Sequence, residues 1–330
     1  IAKDYINLIL CNKCKLVQLD RNFNPNFLYG KDYGYRTGIN LTMSNHVKFV
    51  SKEAIKISRP NQRDYVLDIA SNDGTLLNNY GKKFITVGID PLVNKYKKFY
   101  KKVDHKISNF FTLKNLKRYN LDKKYKIITA LSMFYDLKDP DSFIKDIKKI
   151  LHKDGVFILE HADLLSILKY SLFDTICHEH LEYYSSKIII ELMKKNNLRV
   201  FDLKNSKING GSTRYFIAHD NSKYKTKIKK ISKILQEEKK FKLEKKETFS
   251  KFFMQINLIK DKIMKLLNKI KNNKKTVHGY GASTKGNVLL QYFASPAKYI
   301  LSPTELLKIS LYPNAPGSAD AQAPKNKGFD

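Results

Sequence analysis

Residues 66–77 read VLDIASNDGTLL, and residues 87–91 read VGIDP. Each is a short apolar run that stops on an acidic residue, Asp68 in the first and Asp90 in the second. Short apolar runs bounded by turn residues read as buried strands. After Asp68 a polar turn passes through Ala70, Asn72, Asp73 and Gly74, and TLL opens an expected helix. Asp90 lies 22 residues beyond Asp68, the interval at which a βαβ unit presents a carboxylate to the hydroxyls of a ribose. A dinucleotide fold would carry GxGxxG at the turn, so that backbone amides cradle a pyrophosphate. Ala70, Asn72 and Gly74 stand in its place here, and no GK[ST] follows.

The neighbouring sequence repeats the pattern. FITVGID (84–90), KIITALSMF (126–134) and GVFILEH (155–161) read as further strands, and DPDSFIKDIKKIL (139–151) as a helix. Strands alternating with helices imply an α/β, Rossmann-like chain with a parallel sheet. Ligands of such sheets sit outside the carboxyl ends of the strands. Asp68, Ala70, Asn72, Asp73, Gly74 and Asp90 are therefore candidate cofactor residues. A nucleoside without phosphates suits the turn better than a dinucleotide, and S-adenosylmethionine is one. SNFF (108–111) would then set Asn109 and Phe110 beside the adenine. The plainer alternative is an ordinary turn of a doubly wound sheet.

The chain has 330 residues and a formal net charge of +31. Such a charge suits nucleic acid. Seven of the 62 basic residues are arginine, however, and the 55 lysines are spread over the whole chain. No nucleic-acid motif accompanies them, so no nucleic-acid partner is expected. Hydrophobic residues make up 42%, enough for packed cores, and no run approaches 18 uninterrupted apolar residues. No membrane partner is expected. IAKDYINLIL at the start lacks a signal-peptide pattern, and a cytoplasmic location is the default. The first residue, Ile1, suggests a fragment or a processed start. Cys11 and Cys14 form CNKC: half of a four-ligand zinc site, a redox pair, or chance spacing. If zinc binds, its other ligands lie before Ile1 or include a histidine such as His46.

Proton-transfer chemistry gathers in DTICHEHLEYYS (174–185). His178 and His180 lack the HExxH spacing and a clear third ligand for a metal. Two imidazoles with Glu179 between them, ahead of a helix, suit acid–base work, although a solvated loop is the bland alternative. In NGGSTR (209–214), Gly210 and Gly211 allow close backbone approach, which a hairpin turn alone would explain. Arg214, and Arg36 in YGYRTG, stand out in a lysine-dominated chain. Their fork geometry suits a phosphate.

Residues 186–198 read as a helix capped by Ser185 or Ser186, and RVFDLKN and STRYFIAHD as strands around NGG. A long charged helix follows. Phe249, Phe252, Ile256, Ile259, Ile263, Leu266 and Ile270 form an apolar seam along it. Docking on its own domain is expected ahead of dimerisation, which leaves monomer or homodimer. TVHGYGASTKGNVLLQYF (276–293) reads as strand, glycine turn and helix, the opening of a second Rossmann-like unit. From Ser295 the chain is rich in Ala, Pro and Ser, and is expected to be poorly ordered or foreign to the fold.

LCNKCKLVQL, DYGYRTG, VLDIASNDGTLL, GIDP, DTICHEHLEYYS, NGGSTR and GYGASTKGNVLLQY follow one another over about residues 8–293. This ordered set resembles the C-methyltransferase family that acts on nucleotide-linked deoxysugars. The resemblance implies a class I methyltransferase domain at 49–165, after a remnant zinc-binding module and linker at 1–48. A substrate and helical region follows at 166–275, then a truncated Rossmann-like C-terminal domain at 276–330. It implies S-adenosylmethionine as methyl donor and a nucleotide-linked 4-keto sugar as substrate. By the same resemblance His180 is the base that removes a proton beside the keto group, supported by Glu179, with His178 and Tyr33 as weaker matches. Asp136, Tyr183, Gly210, Gly211, Arg214 and Lys285 would meet the substrate, and Cys11 and Cys14 a metal. There are two departures. Cys177 stands where family members often carry tyrosine, and MFYDL offers Asp136 where they often carry histidine. The alternatives are O-methylation of a sugar, or an inactive fragment that binds only the cofactor.

Overall fold

YVLDI, the run around Asp68, lies near the middle of a seven-stranded sheet. A computed structural model describes residues 6–30, 33–277 and 284–294. Its strands, in chain order, are β1 (Leu8–Leu10), β2 (Val17–Leu19), β3 (Tyr65–Ile69), β4 (Ile85–Ile89), β5 (His105–Ile107), β6 (Tyr125–Leu131), β7 (Leu151–Ala162), β8 (Glu182–Tyr183), β9 (Leu198–Ser206) and β10 (Ser212–His219). The large sheet runs β5-β4-β3-β6-β7-β10-β9. Strands β3 to β7 are parallel, and β10 is antiparallel to both its neighbours. This is the α/β, Rossmann-like arrangement that the sequence led to expect. The strand order reverses between β3 and β6, the place where such sheets open a crevice.

Burial explains the pairing. β3 and β4 bury every residue but the first, as parallel strands covered on both faces must. Alternate side chains feed two cores. Leu67, Ile69, Val87 and Ile89 enter one, while Val66, Ile127, Val156 and Ile158 enter the other.

The helix expected after β3 is absent. Beyond Gly74 the chain forms only the 3-10 turns Leu77–Asn79 and Gly81–Lys83. The Asn79 amide donates to the carbonyls of Thr75 and Leu76, which a continuing helix would need for its own amides. Gly81, at φ +71, then leaves the helical region. The domain limits shift as well. A limit at 48 falls inside the helix Leu41–Ser58, whose cap Asn40 accepts from the Met43 amide at 3.1 Å. Val47, Val50 and Ala54 bury its stripe in the sheet's second core. A limit at 165 falls short of the sheet edge, because the β9–β10 hairpin completes the sheet by pairing along β7.

Other elements form where the sequence puts them. Ser186–Lys195 is a helix capped by Ser185, and Pro140–Ile150 one capped by Asp139. The long charged helix is two, Ile228–Phe241 and Lys246–Asn272, parted at Lys242 in the left-handed region. Phe249, Phe252 and Ile256 dock its seam on the first core, while Leu266 is 57% exposed. Of the unit expected over 276–293, the helix Thr284–Ala294 is present. Its glycine turn, within 278–283, lies outside the described residues, as does the stretch 295–330.

His161 on β7 is fully buried among Phe134, Tyr184 and Tyr215. Its Nδ1–H donates to the Ala162 carbonyl at 2.8 Å, and Nε2 has no partner. Burial lowers its pKa to about 4. The unfolded chain therefore takes up a proton below about pH 6.5 that the folded chain refuses until about pH 4. His161→Phe removes this penalty. Relative to wild type, its unfolding free energy should rise by roughly 3 kcal/mol between pH 7 and pH 4. Urea titrations at several pH values check this, and a pH-independent difference would refute it.

Candidate active site

The turn after β3 is held open by conformation rather than by glycines alone. Ala70, Asn72 and Gly74 all have positive φ, at 56°, 50° and 73°. A Cβ on Gly74 would lie 2.6 Å from the Tyr100 ring. Tyr100 fills the space beneath the turn, donating to the Asn72 carbonyl at 2.8 Å and sharing a bond with the Ser71 hydroxyl. At the end of β3, Asp68 accepts from the Thr129 hydroxyl at 2.6 Å. Burial raises Asp68 to about 7. Asp90 accepts the Asn72 amide at 2.9 Å and the Leu92 amide at 2.7 Å, one on each oxygen. Burial raises it to about 6. Each Asp90 oxygen keeps a second lone pair, so a diol can still be accepted. Beside this carboxylate, Tyr29, Gly30, Pro91, Leu92, Ser108 and Phe110 line a cleft of about 260 Å³. Asn109 turns inward to cap the Phe110 amide at 2.9 Å. A left-handed turn, a buried diol acceptor and an aromatic-walled cleft fit a nucleoside.

A strap closes over this turn. The Thr37 amide donates to Asn72 Oδ1 at 2.8 Å, and the Gly38 amide to Asp73 Oδ2 at 2.9 Å. The Asn72 amide returns a bond to the Tyr35 carbonyl. A Cβ at Gly38 would lie 2.7 Å from both Asp73 and Thr75. Arg36 stacks on Phe99 at 3.8 Å and lies 3.7 Å from Asp73. Its Nε, however, has no hydrogen-bond partner among the described residues.

The loop 174–185 lies against the chain that leaves β6. The Leu181 amide donates to the Tyr135 carbonyl, and the Tyr135 and His180 rings are 4.3 Å apart. His180 Nδ1–H donates to the Thr175 carbonyl at 2.7 Å, which leaves the Nε2 lone pair as the acceptor. Burial holds the imidazole neutral and lowers its pKa to about 4. Glu179 accepts from the Thr284 hydroxyl at 2.9 Å. Lys285, the next residue, adds its positive charge near His180. Tyr33 is raised well above the ordinary tyrosine range by burial, then by the charges of Glu179, Asp136 and Asp90. Tyr183 is buried, and among the described residues its hydroxyl has no partner. His178 lies edge-on to Phe23, 5.8 Å away.

Three further candidates lie elsewhere. Gly210 and Gly211 form the β9–β10 turn, packed on Leu172 and Ser166 behind the loop. Arg214 is 3% exposed and sits opposite Glu160 in the β10–β7 register. It bonds Glu160 and Glu53, each at 2.6 Å. His46 bonds the other Glu160 oxygen at 2.5 Å, so it does not complete a zinc site with Cys11 and Cys14. Those two cysteines flank the β1–β2 turn. Among the described residues, no third His, Cys, Asp or Glu joins them, so they supply two of the four ligands that a structural zinc requires. The small sheet β1-β2-β8 does tie this hairpin to the residues just after His180.

Residue reasoning passed over several partners in these clusters. Thr129 and Tyr100 lack any motif signal, while Thr37 lies inside DYGYRTG. Tyr135 and Thr284 do adjoin the flagged Asp136 and Lys285.

Comparison with known proteins agrees with this geometry. Residues 32–203 match the family described as "Methyltransferase domain", just over half of the chain. Residues 207–302 match "C-methyltransferase C-terminal domain". C-methyltransferase NovU of Streptomyces niveus is 26% identical over 292 residues, covering 86% of this chain and 68% of that protein. Among solved structures, an S-adenosylmethionine-dependent methyltransferase from Clostridium acetobutylicum is 16% identical, with a TM-score of 0.43 over 52% of this chain and 90% of that one. The plantazolicin methyltransferase BamL, in complex with a triazolic desmethylPZN analogue and SAH, is 16% identical, with a TM-score of 0.42 over 54% and 84%. By the domain that spans just over half of it, this chain belongs to the methyltransferase-domain family, and the stretch that follows is similar to the C-terminal domain of C-methyltransferases.

Proposed function

We propose that the chain methylates a carbon next to the keto group of a nucleotide-linked 4-keto sugar, with His180 as the base. One observation carries this reading. His180 has its Nδ1–H committed to the Thr175 carbonyl and is held neutral by burial, beside the chain leaving β6. Methylation at carbon needs an acidic C–H, a base to take its proton and charge to hold the enolate oxygen. Lys285 and the N-terminus of Thr284–Ala294 supply positive charge on the loop's flank, which suits the enolate or a diphosphate. Tyr33 and Asp136 bound the same space and would orient the sugar. When bound, S-adenosylmethionine supplies the methyl group from its sulfonium. Asp90 would hold its ribose, and Phe110 and Leu92 would flank its adenine.

Incubation with labelled S-adenosylmethionine and a panel of nucleotide-linked 4-keto sugars tests the reaction. Label on carbon is expected, whereas label on oxygen would replace this reading with O-methylation. The cofactor assignment has its own test. Asp90→Ala should weaken S-adenosylmethionine by about tenfold or more, the worth of one charge-assisted hydrogen bond. Wild-type affinity should fall as pH drops through about 6, where Asp90 takes up its proton, and the variant should lack that step. Unchanged affinity by calorimetry, in a folded Asp90→Ala protein, would remove Asp90 from the site.

A further inference from the structure

Cys177 lies in the same loop as His180 and has no part in the proposed proton transfer. Its Sγ, a Glu179 carboxylate oxygen and a ring nitrogen of His180 all lie within 4.8 Å of one another. Among the described residues this is the only trio of potential metal ligands. Their chemistry is coherent. Sulfur, imidazole and carboxylate are the donor set of tetrahedral zinc sites. His180 is also oriented as metal-binding histidines are, with one ring N–H given to a backbone carbonyl and the other nitrogen free. A further buried acid lies within electrostatic reach of the trio. Asp136 Oδ1 is the only buried carboxylate oxygen without a hydrogen-bond partner among the described residues, and the charges of Asp136 and Glu179 both reach Cys177.

We propose that Cys177, Glu179 and His180 form a three-ligand seat for a thiophilic divalent cation such as Zn²⁺, with the fourth position left to water, and that filling it shuts off the enzyme. The seat is separate from the Cys11–Cys14 hairpin. The inhibitory part rests on His180 being the base, because a metal on its free nitrogen removes the lone pair that would accept the substrate's proton. Binding converts the Cys177 thiol to thiolate and releases one proton to solvent. No electron changes hands.

The test uses the full chain carrying Cys11→Ser and Cys14→Ser, which silences the hairpin thiols, with Co²⁺ as the spectroscopic probe. One Co²⁺ per chain is expected, with a sulfur-to-cobalt charge-transfer band and release of a proton. Cys177→Ser and Cys177→Ala in that background should abolish the band. They should also weaken Zn²⁺ by more than the roughly 10–100-fold that loss of an outer-shell partner costs. Retained S-adenosylhomocysteine binding shows that these variants are folded. Absence of the band at the outset, or its survival after Cys177 is replaced, overturns the seat. Undiminished Co²⁺ affinity in His180→Asn overturns His180 as a ligand. Zn²⁺ should inhibit methyl transfer in the double-serine protein and at least about tenfold less once Cys177 is gone. Equal inhibition overturns the proposed shut-off. A failure of the sugar panel would sink the proposed reaction, yet leave the cobalt result intact.

Discussion

His180→Asn should cut methyl transfer by roughly 10²–10⁴, the worth of a positioned base, while S-adenosylmethionine binding stays intact. The asparagine keeps a donor for the Thr175 carbonyl but offers no basic nitrogen. The variant should also lose exchange of the substrate's α-proton with deuterated water, a step that needs no methyl donor. His178→Asn should keep that exchange, because His178 lies against Phe23 rather than beside Tyr135. Exchange that persists in His180→Asn and vanishes in His178→Asn would transfer the role to His178. Methylation without exchange in the wild type would move the reaction to oxygen. The pH profile carries a further signature. With His180 lowered to about 4, the imidazole is neutral from there upward, so its protonation should not cut kcat/KM until pH falls to about 4.

Arg214→Ala should lower the unfolding free energy by about 3–5 kcal/mol, the usual cost of removing one partner from a buried ion pair. Arg214 bridges Glu160 on β7 and Glu53 on the helix Leu41–Ser58. Lys204 on β9 also bonds Glu53. Two cations and two carboxylates balance without requiring His46 to carry charge. Burial pushes Glu160 up, but the bonds from His46 and Arg214 outweigh it and hold the carboxyl below its ordinary range. Without Arg214, Glu160 is left ionised in a nearly waterless position. Arg214→Lys keeps the charge but reaches one carboxylate well instead of two, and should recover part of the loss. Urea unfolding measures both variants. A loss below about 1 kcal/mol for Arg214→Ala would show that the cluster relaxes or hydrates.

Arg214 also shows where residue reasoning stops. Its rarity in a lysine-rich chain marked it as a fork for two oxygens, and it is one. Its oxygens belong to Glu160 and Glu53, however, because the β10–β7 register sets Arg214 opposite Glu160. Register is a relation between distant segments, and spacing along the chain carries no trace of it.

Local sequence determined the buried strands β3, β4 and β6, the acidic ends Asp68 and Asp90, and the caps Asp139 and Ser185. Each of these depends on a residue and its near neighbours, through side-chain alternation, burial on both faces or a hydroxyl within reach of a helix amide. The order of the motifs along the chain also pointed to the family. Tertiary structure alone decided the rest. It laid the 35–38 strap over Asn72 and Asp73, brought Thr284 and Lys285 to Glu179 and His180, and drew the β1–β2 hairpin to the residues after His180. These arrangements join residues many positions apart, and they form because burial forces unpaired backbone groups and carboxylates to find partners wherever the fold delivers them.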